Sequence, residues 1–76
     1  MPSTATATVS DLEYDLLTVL KNKAKAVQAY DSYIQDAQEA NSQPCVELLQ
    51  KLQQGDIEQV NEIRQHLQQV MQNGSM

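Results

Sequence analysis

From Leu12 to Met71 the apolar residues recur at three- and four-residue intervals, and the pattern is interrupted once, at Asn41-Ser42-Gln43-Pro44. Stepping about 100° per residue from Leu12, the side chains of Leu12, Leu16, Val19, Leu20, Val27, Tyr30, Ile34 and Ala37 fall between about −20° and +80°. That is one apolar stripe, and it predicts a helix over about 11–40. Lys21, Lys25, Gln28, Gln35 and Glu39 occupy the other side, and neither Gly nor Pro interrupts the run. Ser10-Asp11-Leu12-Glu13 has the form of a capping box, in which the serine hydroxyl accepts from the third helical amide. Asp11, Glu13 and Asp15 place negative charge where the helix dipole favours it.

A second helix is predicted over about 44–73. With Val46 as zero, Leu49, Leu52, Ile57, Val60, Ile63, Leu67, Val70 and Met71 fall between about 240° and 20°. Gly55-Asp56 is its weak point, because a mid-helix glycine costs about 1 kcal/mol and Asp56 could cap a new helix with Gln59 completing the box. A three-helix chain is therefore an alternative. Against it, the stripe keeps its phase across Gly55, which a true turn would reset.

Between the two stripes, Asn41 suits the left-handed position that ends a helix. Ser42 can cap the next helix, and Pro44 is tolerated in its first turn. So short a connection makes the helices antiparallel neighbours. Each is about 45 Å long at 1.5 Å per residue, and a lone pair leaves much of both stripes uncovered. The expected fold is all-α: a two-helix antiparallel hairpin over 10–73 that dimerises into a four-helix bundle. Its core would be drawn from Leu16, Leu20, Val27, Ile34, Leu49, Leu52, Val60, Ile63 and Leu67. Residues 1–9, rich in Thr and Ala and aperiodic, are expected to form a disordered tail.

Composition narrows the alternatives. A 76-residue chain is one small domain, and such domains often reinforce their cores with disulfides, metals or oligomerisation. One cysteine forms no internal bridge, and no Cys/His cluster offers a zinc site. The net charge of −5 disfavours nucleic acid and anionic membrane surfaces as partners. No apolar run approaches the ~20 residues of a membrane span, and the first residues lack the basic flank and apolar core of a signal peptide. A cytoplasmic protein is expected. Twelve glutamines read as a neutral, helix-tolerant solvent face.

Two charges break the pattern. Lys23 lies at about 20° on the first helix and Asp56 at about 280° on the second, both mid-stripe. Burying either alone would cost several kcal/mol. Counting outward from the reversal leaves them offset by about a turn and a half, much of which a lysine stem can span. One reading is a polar cluster of Lys23 and Asp56 at the bundle centre, joined by Tyr30. The other is that Lys23 snorkels to solvent and Asp56 serves as a cap or kink residue beside Gly55.

Ala29-Tyr30-Asp31-Ser32-Tyr33-Ile34-Gln35-Asp36-Ala37-Gln38-Glu39-Ala40-Asn41 is followed by Leu48-Leu49 and Gly55-Asp56-Ile57-Glu58-Gln59. With these, residues 23–67 resemble the helix pair of ferritin-like proteins of the rubrerythrin kind. The resemblance implies a hairpin that pairs into a four-helix bundle. In that family the first helix supplies an iron-binding Glu and the second a Glu-x-x-His. Aligned by the reversal, the first Glu falls on Lys23, the second on Asp56 and the His on Gln59. One carboxylate remains, and an ammonium, which has no lone pair, stands at a ligand position. The resemblance thus implies the fold without the iron, and no metal or other cofactor is expected.

The remaining candidates for chemistry are few. His66, the sole histidine, lies off the stripe four residues after Glu62, as a surface pair would. Cys45, in the first turn of the second helix, reads as a small filler at the bundle end or as a redox-active thiol. Tyr14 and Tyr33 are candidate anchors for a further partner. There is no phosphate loop, nucleophile elbow or Ser/His/Asp set, so no enzymatic activity is expected. The sequence points to a small structural or protein-interaction module whose partner is itself. The alternatives are a ferritin-like metal-binding or oxidase protein, and an adaptor that completes a bundle with a different protein.

Overall fold

In the computed structural model, residues 9–73 are described, and they form two helices, α1 (Asp11–Glu39) and α2 (Gln43–Asn73). The expected tail at 1–9 lies almost wholly outside the described residues. Ser10 is extended, and its Oγ accepts from the Glu13 N–H at 3.1 Å. This satisfies one of the orphan donors of the first turn of α1.

The reversal is built by hydrogen bonds that need a left-handed residue. Asn41 has φ of 56°. The Asn41 N–H donates to Gln38 O and the Ser42 N–H donates to Ala37 O, each at 3.0 Å. Those two bonds are the Schellman arrangement, which caps the last carbonyls of a helix and turns the chain away. Ser42 O then accepts from the Val46 N–H at 3.0 Å, opening α2. The helices end and begin one residue away from the expected 40 and 44. Ala40 is the C-cap of α1, and α2 starts at Gln43, with Pro44 second in a turn where no intrahelical N–H is required.

Helix α2 runs through Gly55 without a break, so the described residues form two helices and not three. The hairpin is long and thin, 55 × 19 × 12 Å. Its buried apolar residues lie near the two ends: Ala37 and Val46 beside the reversal, Leu67 and Val70 towards the open end. Of the expected bundle core, Leu67 is buried within the hairpin. Leu16, Leu20, Val27, Ile34, Leu49, Val60 and Ile63 are half-buried, and Leu52 is exposed. Leu52 shares its phase of about 240° with Val70, yet Val70 is buried, so position along the hairpin and not phase separates the two. Among the described residues, no helix is long and apolar enough to cross a membrane.

Candidate functional site

Between the two buried ends, polar side chains cross the seam. The Lys23 Nζ lies 3.2 Å from Asp56 Oδ1, joining the middle of α1 to the middle of α2. The lysine side chain is 33% exposed and the aspartate 21%. These exposures place the pair between a surface ion pair, worth about 0–1 kcal/mol, and a buried one, whose disruption costs about 3–5 kcal/mol. Water still reaches the ammonium, which limits what its desolvation costs. Asp56 follows Gly55 in the chain but caps nothing, because α2 continues through it.

Tyr30 does not join this contact. Its ring meets that of Tyr33 edge-on, with centroids 5.7 Å apart and planes at 79°, the T-shaped geometry that aromatic quadrupoles favour. The two residues are three apart in one helix and so are neighbours on its surface. The expected three-membered cluster is therefore a pair, with Tyr30 part of an aromatic contact on α1.

A second crossing, absent from the sequence expectations, lies closer to the reversal. The Gln53 Nε2 donates to the backbone carbonyl of Val27 at 2.9 Å and to Asp31 Oδ1 at 2.9 Å. One amide nitrogen carries two hydrogens, so both bonds can form together. The signal was present in the pattern: Gln53 sits at about 340° on the α2 scale, inside the apolar stripe.

Lys23 also borders an open depression of about 310 Å³ shared with Leu16, Gln59, Glu62, Ile63 and His66. His66 and Glu62 are exposed at its rim. Cys45, read as a filler, is exposed as well.

The donor set does not fit iron. Of the three positions that the ferritin-like resemblance aligns with ligands, Lys23 and Gln59 present an ammonium and an amide. The one carboxylate, Asp56, already accepts from the ammonium. Among the described residues, no group of three His, Cys, Asp or Glu side chains is gathered as metal ligands. Compared with protein-family models, with curated proteins and with solved structures, the chain gives no match.

Proposed function

We propose that this chain is a non-catalytic structural or interaction module that works as a homodimeric four-helix bundle. The observation that carries the reading is the unfinished core. Two helices of 29 and 31 residues bury four hydrophobic residues between them. Meanwhile Leu12, Leu17, Val19, Leu48, Leu52 and Met71, with Tyr14 and Tyr33, each remain more than 40% exposed. Thin layers of secondary structure gain a shared core by stacking on another layer, and a second hairpin of equal length is the simplest layer available.

On this reading the polar seam sets register. The Lys23–Asp56 pair and the Gln53 bonds are satisfied only when α1 and α2 stand at one axial offset, whereas apolar stripes alone tolerate sliding. The ferritin-like resemblance fits as descent. A helix pair of that kind would have replaced metal ligands with an internal ion pair, keeping the bundle and losing the metal chemistry.

Thermal unfolding at two concentrations a hundredfold apart tests the reading. A bundle held together by association melts higher in the concentrated sample. A melting temperature that does not move would contradict it.

A further inference from the structure

The two broad sides of the hairpin differ, and the difference selects one of them for pairing. We infer that the second copy docks on the side carrying Val19 and Tyr33 of α1 and Leu48 and Leu52 of α2. The inference rests on the homodimer reading and adds which surface is used.

Helical phase assigns the sides, on scales of about 100° per residue. One side collects most of the glutamines, among them Gln28, Gln50, Gln54, Gln65, Gln68 and Gln72. Two grooves mark it. One runs past Leu20, Arg64, Gln68 and Met71, the other past Ala24, Val27, Ile57 and Val60. The opposite side, marked by the depression beside Lys23 and Gln59, has a single glutamine, Gln59, within its sector.

Of the eight large apolar residues left exposed among the described ones, Leu12, Val19, Tyr33, Leu48 and Leu52 project from this second side, against Leu17 and Met71 from the amide side, with Tyr14 on the outer back of α1. Its centre is also uncharged. Between Thr18 and Tyr33 on α1 its residues are Thr, Val, Asn, Ala, Ala, Tyr and Tyr, and between Cys45 and Gln59 on α2 they are Cys, Leu, Leu, Gly and Gln. The Lys23–Asp56 pair on the seam beside it is internally neutralised.

Charge argues for a copy as occupant. A chain with a net charge of −5 repels its own copy unless the contact avoids its carboxylates, and this surface does so over its middle. The area agrees. The whole side, 55 Å long and 19 Å wide, offers a footprint on the order of 1,000 Å² against the roughly 800 Å² that a stable pair needs from each partner, so the contact extends past the uncharged middle to the turns that carry Asp15 and Asp36. Gly55 supplies a further sign. A Cβ added there would meet nothing within 4 Å, so alanine would fit the isolated hairpin and favour the helix by about 1 kcal/mol. A bare helix backbone on this side suits the close approach of another helix.

Thiol accessibility tests the assignment. In a Cys45→Ser background, Asn22→Cys places a thiol on the proposed surface and Gln54→Cys places one on the amide side; both positions are exposed in the single hairpin. Maleimide should modify the thiol at 22 about tenfold more slowly than the one at 54 in concentrated protein, as expected of a packed interface that excludes solvent. The difference should vanish on dilution to the dissociated chain. A slow thiol at 54 with a fast one at 22 would move the interface to the amide side and overturn the assignment while leaving the dimer intact. Two fast thiols in a sample of twice the chain mass would also overturn it, placing the contact on an edge. Two fast thiols in a sample of single-chain mass would overturn the homodimer reading itself. As a second readout, Leu52→Lys should shift the mass to a single chain, whereas Gln68→Lys should not.

Discussion

Asp56 accepts a hydrogen bond from the Lys23 ammonium at 3.2 Å directly after Gly55, so a turn of α2 weakened by glycine carries one of its polar links to α1. Removing one partner should therefore cost more than a surface pair does. Asp56→Ala is expected to destabilise the protein by about 1–3 kcal/mol, the lower end if solvent reaches the orphaned ammonium and the upper end if a second copy covers it. Lys23→Met combined with Asp56→Leu should restore or exceed the original stability, because two apolar groups leave no uncompensated charge. Urea unfolding of the single and double variants checks this. An Asp56→Ala midpoint equal to that of the parent would remove the pair from the account.

Gln53 ties α2 to the backbone of α1 through Val27 O and to its side through Asp31 Oδ1. Gln53→Ala should lose about 1–2 kcal/mol, the net worth of two partly buried hydrogen bonds. Gln53→Glu should be worse than alanine at neutral pH, since a carboxylate would face the Val27 carbonyl and the Asp31 carboxylate with no hydrogen to offer either. Thermal melts of the two variants in one buffer give the ranking directly, and a Gln53→Glu protein that melts at or above Gln53→Ala would show that the crossing is not formed.

Asn41 holds the reversal at φ of 56°. Asn41→Gly should be neutral or slightly stabilising, because glycine enters the left-handed region without steric cost. Asn41→Ala should cost about 1 kcal/mol and Asn41→Val more, as a Cβ and then a branched Cβ are forced into that region. Denaturant midpoints should fall in the order Gly, Ala, Val. Equal midpoints for Gly and Val would mean that the reversal does not depend on this backbone conformation.

How much of this could be read from the chain follows from how local each cause is. Helix phase is a property of a few neighbouring residues, so the stripes, the Ser10 cap and the left-handed Asn41 are legible, and the helix ends come within one residue. Pro44 misplaced the start of α2 because a proline is tolerated at more than one position of a first turn. The Lys23–Asp56 contact is legible as far as both residues lie mid-stripe and the reversal sets their rough register, but pairing and snorkelling share that pattern and only the 3.2 Å distance separates them. Tyr30, at the centre of its stripe, was expected in that cluster. Phase says which side a ring leaves the helix on and not which neighbour it meets, and this ring meets Tyr33 edge-on. Gln53 is one of twelve glutamines, and its phase alone sets it apart from the other glutamines of α2, on the solvent side. Cys45, placed on the stripe by phase, is exposed, whereas Ile63 at the same phase is half-buried, so phase alone does not fix burial in a two-helix hairpin.

The central claim is that one hairpin does not complete a core and that a second copy does. Light scattering on the full chain, at concentrations from about 1 μM to about 1 mM to bracket ordinary protein affinities, tests it most directly. The expected result is a helical species of twice the 8.5 kDa chain mass that dissociates, with loss of helicity, only on dilution. A stable, fully helical species of 8.5 kDa persisting across that range would contradict it.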